Sequence, residues 1–72
     1  MTTDPRLSAL RRKHKAIWRV TLNVVGEDDL IYVYINGDGT TRKFAETAAT
    51  LRCARDLGIS RKHISVVTAR LT

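Results

Sequence analysis

The residues of this 72-residue chain that could catalyse a reaction or hold a metal are few and scattered. His14, His63 and Cys53 do not stand at the spacing of zinc ligands, either with one another or with a carboxylate. The acidic run at 27–29 lacks a surrounding glycine-spaced ligand loop, so it is more typical of a solvated turn than of a cation site. We therefore expect no catalytic residue, no metal, no cofactor and no small-molecule substrate, and we predict that the protein is not an enzyme.

Basic residues are the strongest functional signal. Thirteen Lys and Arg against seven Asp and Glu give a formal net charge of +6, which predicts an acidic partner such as nucleic acid or an acidic protein surface. The cations near the N-terminus form the strongest cluster, because a solvated charged face usually mixes both signs. The predicted partner-binding residues are Arg6, Arg11, Arg12, Lys13 and Lys15, with Trp18 or Tyr32 as an apolar anchor. A second patch, predicted to contact nucleic acid, consists of Arg42, Lys43, Arg61, Lys62 and His63.

Cysteine content and hydropathy indicate the compartment. The single cysteine, Cys53, cannot form an internal disulfide, which favours a reducing environment. No apolar run approaches the roughly 20 residues that cross a bilayer, and the N-terminus lacks an apolar signal core. We expect a cytoplasmic protein without a membrane partner.

Two strands are predicted from alternating side chains. In "IWRVTLNVV" one face carries Trp18, Val20, Leu22 and Val24, and in "LIYVYI" one face carries Ile31, Val33 and Ile35. Antiparallel pairing that follows the apolar sides puts Tyr32 and Tyr34 beside Arg19 and Thr21 on the less buried face. Tyrosines on a sheet can stack nucleic-acid bases, although packing on the sheet is their commoner role.

A helix is predicted from Phe44 to Leu57, because the spacing of apolar residues changes there from that of a strand to that of a helix. Its packed face would carry Phe44, Ala48, Leu51 and Ala54, and its polar side Glu46, Arg52, Cys53 and Asp56. Gly58 is placed to end the helix, with Ile59 folding back on the last turn.

The segment after Gly58 has two interpretations. The spacing of Ala54, Gly58, Ile64 and Val67 resembles a helix-turn-helix, which would place Arg61, Lys62, His63 and Ser65 on a recognition helix of a DNA-binding repressor. The β-branched run in "ISVVT" favours a strand instead, over His63 to Leu71. We favour the strand, because it closes the sheet without needing a third helix.

In this order of elements, "KAIWRVTL", "FAETAATLRCA" and "ISVVTARL" together resemble the small phage-encoded inhibitors of host RNA polymerase. The resemblance implies binding to the bacterial polymerase, with blocked initiation or altered termination, in the host cytoplasm. "GDGTTRKFAETAA" resembles the helix start of double-stranded RNA-binding domains, which implies that Arg42 and Lys43 contact phosphates.

These observations predict an α+β fold with a small antiparallel sheet in β-β-α-β order and one main helix packed on it. Residues 1–15 are expected to form a basic N-terminal arm or short helix, and 16–72 a single domain. The predicted function is non-enzymatic transcription regulation through a bacterial RNA polymerase subunit or another acidic protein surface, with DNA or RNA as a further partner.

Overall fold

The computed structural model describes residues 15–72. The elements, in chain order, are β1 (Ile17–Val24), β2 (Ile31–Asn36), α1 (Arg42–Leu57), a single 3₁₀ turn (Arg61–His63) and β3 (Ile64–Leu71). The strands form one antiparallel sheet in the order β2-β1-β3, and α1 packs on one of its faces. The predicted α+β fold and its β-β-α-β order are confirmed. The predicted arm lies outside the described residues apart from Lys15.

The register between β1 and β2 follows the apolar faces. Val20 pairs with Val33, and both side chains are buried beneath the helix. On the other face, Arg19 pairs with Tyr34 and Thr21 with Tyr32, as the alternation predicts. A one-residue slip would move every apolar side chain of β2 away from the helix, so burial fixes this register.

Residues 64–71 form the third strand rather than a recognition helix. The helix-turn-helix interpretation of this segment is therefore wrong, because its β-branched side chains pack well on a pleated sheet and lose rotamer freedom in a helix. Gly58 does end α1, with the left-handed φ of 66° that L-residues disfavour. The amide of Ile59 then donates to the carbonyl of Ala54 at 3.0 Å, which folds the chain back on the last helical turn.

The predicted packed face of α1 is wrong for its large residues. Phe44 is 64% exposed and Leu51 48%, whereas the buried residues are Ala45, Ala49, Cys53 and Ala54. The branched side chains of Val20, Leu22, Val33 and Ile35 already fill the space above the sheet. Small residues at helical spacing let the backbone of α1 approach them closely, which a phenylalanine or leucine at the same positions would prevent.

Two hydrogen bonds define the start of α1, one that caps the helix and one that ties it to the sheet. The Thr41 hydroxyl accepts from the amide of Phe44 at 3.2 Å and caps the helix. The indole nitrogen of Trp18, on β1, donates to the carbonyl of Thr40 at 3.0 Å.

Among the described residues, no helix has the length and apolar character that crossing a membrane requires.

Candidate functional site

Within residues 15–72, no group of three or more His, Cys, Asp and Glu side chains is arranged to hold a metal ion. Cys53 lies in the core at 4% exposure, not on the polar side of α1 where the sequence placed it, because the close helix–sheet contact runs along Ala45, Ala49 and Cys53. Burial and, to a lesser extent, the nearby Asp56 carboxylate raise the pKa of the Cys53 thiol. The thiol is therefore protonated at neutral pH and covered, unlike a reactive cysteine.

Three of the predicted partner-binding residues, Lys15, Trp18 and Tyr32, lie within the described part of the chain. Arg6, Arg11, Arg12 and Lys13 lie outside the described residues. Lys15 is exposed just before β1. Trp18 is half-buried against the core and uses its indole N–H within the fold, so it stabilises the helix start. Tyr32 is 44% exposed on the sheet face opposite the helix.

The predicted nucleic-acid patch is split between two elements. Arg42 and Lys43 are exposed in the first turn of α1, and Arg61, Lys62 and His63 are exposed in the 3₁₀ turn. Arg61 and Lys62 line a groove of about 370 Å³ together with Glu46, Thr47, Thr50 and Val66. The Glu46 carboxylate, 3.8 Å from Nε of Arg42, lies in the same groove. A fixed negative charge there weakens the attraction of this groove for phosphate.

A second basic surface lies on the side of the sheet opposite α1, here called the distal face. By the register and the side-chain alternation it carries Arg19, Tyr32, Tyr34, Thr68 and Arg70, together with the buried Ile17 and Thr21. Arg19 and Arg70 are directly opposite each other and both are exposed. They are also the only charged residues in the three described strands, which contain no Asp or Glu. The described strands therefore hold no acidic side chain that could neutralise either arginine.

Arg19 also approaches an aromatic ring. Its guanidinium carbon is 5.9 Å from the ring centroid of Tyr32, near the outer limit of a cation–π contact. Sequence reasoning placed the tyrosines beside Arg19 but did not select Arg19 or Arg70 as site residues. The alternation of β1 could have identified Arg19, whereas Arg70 could be placed only once the register of β3 was known.

The third surface is the side of α1 that points away from the sheet, here called the outer helix face. Phe44 and Leu51 form its apolar centre, and the partly buried Ala48 borders it on the side of the core. Its basic rim consists of Lys43, Arg52 and Arg55. A shallow depression of about 490 Å³ is lined by Ala48, Leu51, Arg52 and Arg55. Phe44 and Leu51 are the two large residues of the stripe that the sequence predicted to be buried.

Neither Arg52 nor Arg55 of the rim has a strong ion pair within the described residues. Arg52 donates to the backbone carbonyl of Tyr34 at 3.2 Å, which holds its side chain beside the edge strand β2. Nε of Arg55 lies 3.8 Å from the Asp56 carboxylate, but both side chains are largely exposed and such a pair is weak. The outer helix face can therefore contact an apolar surface surrounded by acidic groups.

Comparison with known proteins gives no relative for this chain. No protein-family model, no curated protein and no solved structure matches it.

Proposed function

We propose that the protein is a small non-enzymatic regulator of transcription that binds bacterial RNA polymerase through the outer helix face. One observation carries this proposal: a helix that already packs against a sheet also exposes Phe44 and Leu51 on its opposite side, within a basic rim. Large exposed apolar groups rimmed by polar residues mark interaction sites. Aromatic side chains at the centre of such a patch supply much of the binding energy, and the charges around them steer association and select the partner.

The choice of partner has two supports. The net charge of +6 favours an acidic surface. The order strand, strand, helix, strand resembles the phage-encoded inhibitors of RNA polymerase, which act by binding the enzyme. Regulation would then consist of blocked initiation or altered termination, and the cytoplasm, where the polymerase works, would be the site of action.

The test is binding to purified bacterial RNA polymerase with the full chain immobilised. Wild-type protein should bind, and Phe44→Ser combined with Leu51→Ser should reduce the affinity at least about tenfold, as expected for truncation of buried anchors. Val25→Ser combined with Leu30→Ser is the matched control, because both residues are also exposed and apolar but lie outside α1. The control should bind like the wild type.

Single-round transcription in vitro then tests the consequence of binding. Added wild-type protein should lower the yield of initiated transcripts or change the fraction that reads through a terminator, and the Phe44/Leu51 variant should do neither. If the wild-type protein has no affinity for the polymerase, or if both double variants lose binding equally, the proposal is wrong.

The alternative function, a DNA-binding repressor, requires a recognition helix after Gly58. Within the described part of the chain, the segment that would have read base edges is β3. The double-stranded RNA-binding alternative is also less favoured, because two strands rather than a three-strand meander precede α1 in residues 15–72.

A further inference from the structure

Two positively charged residues pair across neighbouring strands of the distal face. Arg19 and Arg70 are cross-strand partners, and each is exposed. Like charges directly opposite each other in an antiparallel pair are destabilising, and no carboxylate in the described strands offsets them. An anion bound between the two guanidinium groups would convert this repulsion into two attractive contacts.

The chemistry of the two side chains indicates which anion fits. Arginine presents a planar fork of donors that matches the oxygens of phosphate, and its charge is retained at any physiological pH. The Cα atoms of directly opposed residues in an antiparallel pair are only about 4.5–5.5 Å apart, so both guanidinium groups can reach one phosphate or two consecutive ones. The pair Arg19 and Arg70 is therefore suited to a chain that carries phosphates.

An aromatic ring stands next to this phosphate site. Tyr32 is 44% exposed, and the guanidinium carbon of Arg19 lies 5.9 Å from its ring centroid. Its cross-strand partner Thr21 lies on the same face in the central strand and is buried. Aromatic side chains on such platforms stack unpaired bases, whereas the bases of a duplex are already stacked on each other.

We propose that the distal face binds single-stranded nucleic acid, with Arg19 and Arg70 holding backbone phosphates and Tyr32 stacking on an adjacent base. This site lies on the opposite side of the sheet from the outer helix face, so one domain can contact a protein and a nucleic-acid strand at the same time. The distal face shares no residue with the outer helix face, so nucleic-acid binding and polymerase binding can fail independently.

The test is fluorescence anisotropy of the full chain with labelled oligothymidine of about 20 nucleotides, longer than the roughly 4–16 nucleotides of one binding site on comparable domains. At about 150 mM salt, wild-type protein should bind with a Kd on the order of micromolar. Arg19→Gln combined with Arg70→Gln should weaken binding at least about tenfold. The slope of log affinity against log salt should also become shallower by about 0.7 for each phosphate contact that is lost.

The matched control has the same net charge as the arginine double variant. Val25→Glu combined with Leu30→Glu also lowers the charge by two, at exposed positions in the connection between β1 and β2. It should weaken binding less than about threefold, since it leaves both phosphate contacts in place. Far-UV circular dichroism establishes that each variant is folded.

The stacking contact has its own pair of variants. Tyr32→Phe keeps the aromatic face and should bind within about twofold of the wild type, whereas Tyr32→Ala should lose about tenfold. A blunt-ended duplex of the same length, made from two complementary mixed-sequence strands, should bind more weakly than either strand alone.

Several results would overturn the inference. Equal losses in the arginine variant and its matched control would show that net charge alone drives binding. A larger loss in Arg61→Gln combined with Lys62→Gln would move the site to the groove beside α1. Affinity for the duplex equal to that for the single strand would rule out stacking. If the wild type binds no oligonucleotide, the inference is wrong, and loss of polymerase binding in the arginine variant would then assign the distal face to an acidic protein surface.

Discussion

Arg19 and Arg70, on neighbouring strands, are directly opposite each other and are the only charged residues of the described sheet. This repulsion should reduce the stability of the free protein by about 0.2–1 kcal/mol. Arg70→Thr removes it while keeping a residue that suits a strand and leaving the contact of Arg19 with Tyr32. We expect the variant to have a higher free energy of unfolding at low salt, with a smaller gain at high salt where charges are screened. Urea unfolding at the two ionic strengths measures both values.

A gain in stability could also come from the strand preference of threonine. Ser65→Thr provides the control, since Ser65 is exposed on β3 and uncharged. Any gain from Ser65→Thr should be independent of salt. Loss of stability in Arg70→Thr at low salt would mean that the opposed arginines do not repel each other in the folded protein.

The sheet was predictable because β1 and β2 bury one face against α1, so that apolar side chains recur at every second position of their sequences. β3 was harder, because a bulge at Val67 shifts its alternation: Val66 pairs with Leu22, whereas Thr68 pairs with Thr21. Alternation counted from Ile64 would put Arg70 on the helix side, while the bulge turns it to the distal face. Single-residue insertions of this kind leave no clear pattern in a short sequence, so the opposed arginines could not be predicted.

The face of α1 was mispredicted for a different reason. Large apolar residues usually mark the buried side of a helix, but here the small stripe Ala45, Ala49 and Cys53 is buried and Phe44 is exposed. The size of the gap between helix and sheet decides which stripe fits, and this gap is a property of the assembled layers. A run of small residues at i, i+4 and i+8 is the signal that could have indicated the correct face.

The close helix–sheet contact predicts a strong effect of side-chain size at Ala49. Ala49 is fully buried, so Ala49→Leu should force α1 away from the sheet and lower the free energy of unfolding by about 1–3 kcal/mol. Ala48→Leu makes the same substitution one position along the helix, at a residue that is only partly buried where it packs against the core, and should lower the free energy of unfolding by less than Ala49→Leu does. Urea unfolding gives both values, and similar losses in the two variants would contradict the observed packing.

Cys53 predicts a pH dependence of stability. Burial, with a contribution from Asp56, raises the pKa of its thiol in the folded state above the ordinary value of 9.0. The folded protein therefore holds this proton more tightly than the unfolded chain does. The associated stabilisation is fully present below pH 9.0 and is lost as the pH rises through the folded-state pKa. Between the two pKa values the loss should approach about 1.4 kcal/mol per pH unit.

Cys53→Ala isolates this contribution from other groups that titrate in alkali. The difference in free energy of unfolding between wild type and Cys53→Ala should be constant at neutral pH and should shift in favour of the variant above pH 9.0. Parallel curves for the two proteins across that range would show that the thiol has the same pKa in the folded and unfolded states.

The left-handed backbone of Gly58 predicts how substitutions at the end of α1 change stability. Its φ is 66°, and a Cβ added there would meet no atom within 4 Å, so a substitution changes only the backbone energy. Gly58→Ala should lower the free energy of unfolding by about 1–2 kcal/mol, because an L-residue with a Cβ disfavours the left-handed conformation. Gly58→Asn should lose less, since asparagine adopts this conformation more readily than other non-glycine residues. Urea unfolding ranks the three proteins, and an alanine variant as stable as the wild type would mean that the turn into β3 does not require the left-handed residue.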